Sequence, residues 1–374
     1  MTNDRQLLLG HSTRRQFLKV AASATLSSVV LSGCGWTLAQ VRPEVKNSSS
    51  SKQLYIYTWD NYTDRDLLDR FTKETGIQAI ADVFDSNESM LARLQAGGGG
   101  AYSIIYPSDY MVRKMVELGL LRELDHSRLI GLENLFPRFQ NPSYDAGNRH
   151  SVPVSWGTTG LIYNTKKLSP APQDWSYLWN NQQKLSKRMS LLNDAREVMG
   201  AVLKMLGYSY NSTNPQQIQQ AYQKLRELKP SIASFTTDAW RPQMLSGDLL
   251  IAMCYSSDAN ELFKESKDLK YVLPKSGSSL WVDTMAIPKT APNLEGAYAW
   301  INFILQPDVA AQIGERLSFA TPNQVAFNQL PSEIQTSQSL FPPESSIEHC
   351  EGIAPLEDKI SEVYDRYWTQ LTSA

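Results

Sequence analysis

The chain has 374 residues, 42% hydrophobic and 20% charged, an ordinary globular composition with enough length for two domains. A net charge of −2 and a pI near 6.1 exclude the basic footprint of a nucleic-acid binder. Four His and three Cys, with no CxxC, HExxH or paired-His spacing, argue against a zinc or thiol-redox centre, and no metal or cofactor is expected.

The N-terminus reads as an address. Arg14-Arg15-Gln-Phe17-Leu18-Lys19 precedes a short apolar run, Val20 to Leu31, and then Leu31-Ser32-Gly33-Cys34. The run is too short to span a bilayer as an ordinary helix. The twin arginines resemble a Tat export signal and Leu-Ser-Gly-Cys resembles a lipobox, in which Cys34 becomes the lipidated first residue. Residues 1–33 are thus an expected export signal, and 34–52, rich in Ser and Asn, a polar tether. Removing 1–33 takes away four basic residues and one acidic one and moves the net charge from −2 to −5. Cys254 and Cys350 remain, and their spacing does not say whether they pair.

From residue 53 the pattern is strand, helix, strand, helix, strand, helix. Leu54 to Tyr57 alternates into a strand ending at Trp59-Asp-Asn-Tyr62. Thr63 is the expected cap of a helix closed by Gly76, followed by a strand over 77–84. Ser86-Asn87 opens a helix through Met90, Leu91 and Leu94. Gly97 to Gly100 reads as a connector, since no Gly-Lys-Ser/Thr follows to make a phosphate cradle. Tyr102 to Tyr106 is the third strand, and Ser108-Asp109-Tyr110 begins another helix. This order implies a largely parallel sheet with ligand groups at the carboxyl ends of its strands.

Val152 to Gly157 and Gly160 to Asn164 read as segments crossing to a second unit, with Gly157-Thr-Thr-Gly160 as a hinge. That unit holds a strand at Met189 to Leu192 leading to Asp194 and Glu197, and helices over 215–228 and 239–245. Strands at Leu249 to Cys254 and Lys270 to Leu273 follow. Asp194 and Glu197 have the spacing of a capping box, which is the structural alternative to a ligand role. Trp281 to Pro288 reads as the return crossing, followed by helices over 294–305, 307–316 and 358–371. The fold class expected is α/β in two lobes, each a mostly parallel sheet flanked by helices, with hinge strands between. The lobes are 53–157 with 282–327, and 158–281 with 328–374.

At this point the chain resembles the bacterial spermidine/putrescine-binding proteins, the extracytoplasmic receptors of polyamine ABC importers. The matching stretches, in family order, are Tyr57-Thr-Trp59-Asp-Asn-Tyr62, Phe71-Thr-Lys-Glu-Thr-Gly76, Ser86-Asn-Glu-Ser-Met90, Pro107-Ser108-Asp-Tyr110, Trp156-Gly157, Asp194-Ala-Arg-Glu197-Val, Trp281-Val-Asp283 and Pro307-Asp-Val-Ala310. The resemblance implies a class II-like periplasmic-binding-protein clamp with a polyamine in its cleft, an inner-membrane permease and its ATPase as partners, and no catalysis. It implies ligand contacts at Trp59, Tyr62, Ser108, Tyr110, Asp194, Glu197, Tyr255, Trp281, Asp283 and Phe319. Tyr255 stands where relatives often have Trp, and Phe319 where a Tyr is common. Glu351 and Glu357 are weak candidates, and Asp109 adds an acid beside the site. Localisation is expected to be extracytoplasmic, anchored through Cys34.

The residue types suit such a guest. A linear polyamine alternates ammonium groups with methylenes, so carboxylates must meet the amines and flat rings cover the hydrocarbon. The N-terminal dipole of the helix after Asp194 opposes a cation there, but two carboxylates outweigh it, and the dipole is expected to keep both acids ionised. Competing readings are a clamp for another small cation or an amino acid, for which Arg196 is the nearest carboxylate partner, and a secreted glycosidase using Asp194, Glu197 and Asp283.

Overall fold

The computed structural model describes residues 52–373 apart from Asn61. The export signal, Cys34 and the tether up to residue 51 lie outside the described residues. Strands β1 (Gln53–Thr58), β2 (Gln78–Val83) and β3 (Ile104–Ile105) are parallel in the order β2-β1-β3. They alternate with helices α1 (Arg65–Thr75), α2 (Asn87–Gln95) and α3 (Asp109–Glu117). The cap of α1 is Asp64 rather than Thr63: its carboxylate accepts the Leu67 N–H at 2.8 Å and brings a favourable charge to the helix start. Gly76 ends α1 in the left-handed conformation (φ 71°), where a side chain would be strained. Ser86 caps α2 as expected, in a capping box with Ser89. The third strand is only two residues long, shorter than expected, because its ends turn into a loop and the site.

Strand β4 (Ser151–Asn164) runs unbroken through fourteen residues, all but the last buried. This corrects the expected hinge at Gly157-Thr-Thr-Gly160, which is the middle of that strand. The two glycines serve close packing instead. A Cβ on Gly157 would sit 2.3 Å from the Trp281 indole, and one on Gly160 2.5 Å from the Val272 carbonyl oxygen and 2.6 Å from the Tyr271 ring. Strand β4 therefore carries side chains from its neighbours across its own backbone.

The second half repeats the plan. Strands β5 (Met189–Leu191), β6 (Ile232–Phe235) and β7 (Ile251–Tyr255) are parallel, with β5 between the other two. Helices α4 (Ala195–Met205), α5 (Pro215–Leu228), α6 (Trp240–Ser246) and α7 (Ser256–Glu265) flank them. Strand β8 (Leu269–Val272) pairs antiparallel with the far end of β4, and β9 (Leu280–Ala286) with its near end. Helices α8 (Leu294–Leu305), α9 (Pro307–Leu317) and α10 (Asp358–Thr372) complete the architecture. The main path of the sheet is β2-β1-β3-β9-β4-β7-β5-β6. Strand β6 and helix α7 were not among the expected elements.

Apolar side chains gather in separate cores. One joins Leu54, Ile56, Phe71, Met111, Trp156, Met285 and Trp300, and another joins Leu161, Met189, Val202, Leu225, Met253 and Tyr364. A third, smaller cluster holds Trp240, Met244 and Cys254 under α7. Cys254 is buried and Cys350 partly so, and both are free thiols.

Candidate functional site

The sequence-predicted residues stand at the carboxyl ends of the parallel strands, where open α/β sheets leave room for ligands. Tyr62 follows β1, Ser108 and Tyr110 follow β3, Asp194 and Glu197 follow β5, and Tyr255 ends β7. Trp281 and Asp283 lie two residues apart on β9 and share a face, opposite Gly157 and Ser155 on β4.

Asp283, only 8% exposed, is the centre of one constellation. The Tyr62 hydroxyl donates to its Oδ2, and the Ser108 Oγ donates to its Oδ1 at 2.6 Å. Ser108 is held in turn by Asn87, whose Nδ2 donates to the hydroxyl at 3.0 Å and whose Oδ1 accepts the Ser108 N–H at 3.1 Å. Ser108 occupies the cap position of α3 without capping it, which leaves its hydroxyl for Asp283. Burial pushes the Asp283 carboxyl up to about 6, with the Ser108 and Tyr62 hydrogen bonds working against the rise. The Tyr62 ring packs on Phe319, with the ring centroids 4.3 Å apart.

Glu197, 2% exposed, is the centre of the other. It accepts from the Tyr210 hydroxyl at 2.7 Å and from Ser279 Oγ at 2.8 Å. Tyr210 reaches it by lying on Gly200, one helical turn along α4, where a Cβ would stand 2.2 Å from the ring. Asp194 caps α4, accepting the N–H groups of Arg196 and Glu197 at 2.8 and 3.0 Å. The capping box is therefore half made: Glu197 turns to Tyr210 and Ser279 instead of back to the Asp194 backbone. Burial first, and the neighbouring Asp194 charge second, raise Glu197 to about 7. This corrects the expectation that the helix dipole keeps it firmly ionised: desolvation outweighs a half-charge.

Aromatic rings complete the surroundings. Trp281 meets Tyr255 edge-on at 5.9 Å, and Trp59 packs on Phe84 at 4.4 Å. The indole N–H groups of both Trp59 and Trp281 are buried without a hydrogen-bond partner. The Tyr110 hydroxyl donates to Glu88 at 3.0 Å, and the Asp194 charge is among the causes that raise it and Tyr255 after burial. Asp194 thus lies within electrostatic reach of Tyr110, Glu197 and Tyr255.

The remaining candidates are engaged elsewhere. Arg196 points to Asn211 and to the Ala354 carbonyl, both at 3.0 Å. Glu351 pairs with Lys204 at 2.9 Å and accepts from Ser209 at 2.5 Å. Glu357 immediately precedes α10 without capping it through its side chain.

Sequence reasoning missed Asn87, Glu88, Tyr210 and Ser279 as partners of the named residues. Asn87 stands just past β2, so the rule that located the others would have reached it. Tyr210 and Ser279 meet Glu197 only through tertiary packing and carry no local signal.

Comparison with known proteins agrees with this layout. Residues 66–342 match the family model described as bacterial extracellular solute-binding protein. The spermidine/putrescine-binding periplasmic protein of Salmonella typhimurium is 37% identical over 326 residues, covering 87% of this chain and 93% of that one. The solved structure of the spermidine/putrescine ABC transporter substrate-binding protein PotD from Streptococcus pneumoniae superposes with a TM-score of 0.77 at 38% identity, covering 86% of this chain and 99% of that one. The TpPotD lipoprotein of Treponema pallidum does so with a TM-score of 0.77 at 28% identity, covering 86% and 100%. The chain therefore belongs to the bacterial extracellular solute-binding protein family, in the company of these polyamine-transport receptors.

Proposed function

We propose that the chain is an extracytoplasmic polyamine receptor that holds spermidine or putrescine between its lobes and delivers it to an inner-membrane ABC permease driven by its ATPase. The observation that carries this reading is a contrast among acids that are buried (Asp283 and Glu197) or half-buried (Asp194, Asp258 and Glu351). Asp258 has Arg241 at 2.8 Å, and Glu351 has Lys204 at 2.9 Å. Among the described residues, Asp283, Glu197 and Asp194 have hydrogen-bond donors but no Lys, Arg or His within ion-pair distance. Carboxylates taken out of water, as Asp283 and Glu197 are, and given no internal cation favour a cationic guest. No three acids, Cys or His among the described residues are grouped closely enough to hold a metal ion, so an extended polycation suits their spacing better than a compact one. Trp59, Tyr62, Tyr110, Tyr255, Trp281 and Phe319 then cover the methylenes.

The proposed lobes are 53–157 with 282–327, and 158–281 with 328–374, supported by the separate cores; Leu340 lends its side chain to the first. Titration calorimetry tests the reading. Spermidine and putrescine should both bind near neutral pH with affinities that fall as salt rises, because salt screens the ammonium–carboxylate attraction. Flat isotherms for both amines would remove the polyamine assignment.

Export and anchoring extend the proposal. The twin arginines would direct the chain through the Tat route and Cys34 would carry the lipid, a reading supported by the Leu31-Ser-Gly-Cys34 motif and by the lipoprotein among the relatives. Cys34→Ser should move the protein from the membrane fraction to the soluble extracytoplasmic fraction, and Arg14→Lys with Arg15→Lys should keep precursor in the cytoplasm. Unchanged fractionation of the first variant would reject the anchor, and normal export of the second would reject the Tat route.

A further inference from the structure

Asp109 is the first residue of α3, between Ser108 and Tyr110, and is 6% exposed. Its Oδ1 accepts the Tyr110 N–H at 2.8 Å. Among the described residues its Oδ2 accepts no hydrogen bond, and no Lys, Arg or His stands within ion-pair distance. Arg113, one turn along α3, donates to the Ser143 carbonyl at 2.9 Å instead. The helix dipole favours an acid at this position, but an exposed side chain would gain that equally. Burying the carboxyl needs another reason.

Its surroundings aim it at the cleft. Burial chiefly, with the charges of Asp283 and Glu197 adding and the Tyr110 N–H and Arg113 charge working against them, holds the Asp109 carboxyl well above the usual carboxylate range. A Cβ on Gly352, in the segment leading to α10, would stand 3.4 Å from its Oδ2 and 3.7 Å from the carbonyl oxygen of Leu280, which lies between Ser279, the partner of Glu197, and Trp281.

Resting on the polyamine reading, we infer that Asp109 receives the additional ammonium of a polyamine with three or more amines and so sets a preference for triamines over diamines. A diamine has two charges, which Asp283 and the Asp194/Glu197 pair suffice to meet. A third ammonium needs an acid between the two constellations, and Asp109, with its Oδ2 beside the stretch from Ser279 to Asp283, is that acid.

The test is calorimetry of Asp109→Asn with spermidine and with putrescine, alongside the melting temperature of the unliganded protein. The amide keeps the acceptor for Tyr110 and removes the unmatched charge. Spermidine affinity should fall roughly tenfold or more, the equivalent of one charged hydrogen bond, and putrescine affinity less than about threefold. The unliganded melting temperature should not fall. Equal losses for both amines, unchanged spermidine affinity, or a lower melting temperature would each overturn the assignment and leave a structural acid at a helix start. Asp109→Ser, which also removes the charge, should repeat the selective loss should the amide variant fold poorly. A wild-type protein that binds neither amine would sink the polyamine reading itself, whereas wild-type binding with unselective variants sinks only the role of Asp109.

Discussion

Asp283→Asn should weaken spermidine binding by about 1.5–3 kcal/mol, roughly ten- to hundredfold, because it removes a charged hydrogen bond from a desolvated site. Asn is nearly isosteric and can still meet Ser108 and Tyr62, which now hold the carboxylate. The fold should therefore survive, and titration calorimetry should register the change as lost affinity with unchanged stoichiometry. The loss should exceed that from removing any one wall residue, since a ring contact with a cation contributes about 0.5–2 kcal/mol. Unchanged affinity would mean that Asp283, despite its position, does not touch the ligand.

The second large effect is a pair of opposite pH dependences. Burial raises Asp283 from 3.8 to about 6 and Glu197 from 4.5 to about 7, and it raises Asp109 and Asp258 as well. A carboxyl with a raised folded-state pKa binds its proton more tightly in the folded protein than in the unfolded chain. The stability it contributes is complete below the unfolded pKa and is lost as pH rises through the folded one. For Asp283 and Glu197 that window runs from about pH 4 to about pH 7. The unliganded protein should accordingly melt higher at about pH 5.5 than at about pH 7.5, each group being worth on the order of 1–3 kcal/mol across the window.

Spermidine binding should run the other way. An ammonium needs the ionised carboxylate, so binding at the lower pH must first expel protons. Affinity should fall by roughly ten- to hundredfold between about pH 7.5 and about pH 5.5. Calorimetry in buffers of different ionisation enthalpy should detect proton release on binding. The groups facing these two acids are the Tyr62, Ser108, Tyr210, Ser279 and Thr159 hydroxyls and the Asp194 charge, and no cation among them compensates the protons lost. An affinity that stays flat across this range would show that both acids are already ionised before the ligand arrives.

The first three strands and helices were legible because each is short, amphipathic and bounded by local chemistry: Ser86 capping α2, Gly76 in the left-handed region after α1. The parallel pairing of those strands followed from that alternation, though their order in the sheet did not. The Gly157-Thr-Thr-Gly160 stretch misled because two glycines so close together read as freedom of the chain. In the folded protein they mark where Trp281 and Tyr271 lie across β4, a reason that exists only once distant strands are paired. Strand β6, flanked by polar residues, escaped notice because its place is set by pairing with β5.

What the chain determined by itself was the set of chemical groups and the segments that carry them: aromatic residues, a serine and two acids after strands that a parallel sheet gathers on one edge, and Trp281 and Asp283 on the return crossing. Local spacing and side-chain chemistry suffice for that, since both are properties of neighbouring residues. Only the tertiary structure decided the state of those acids. Glu197 is taken from its capping role by Tyr210 and Ser279, Asp283 is clasped by hydroxyls from two other segments, and neither is given a cation. Desolvation and partner choice depend on every surrounding atom, and most of those atoms are remote in sequence.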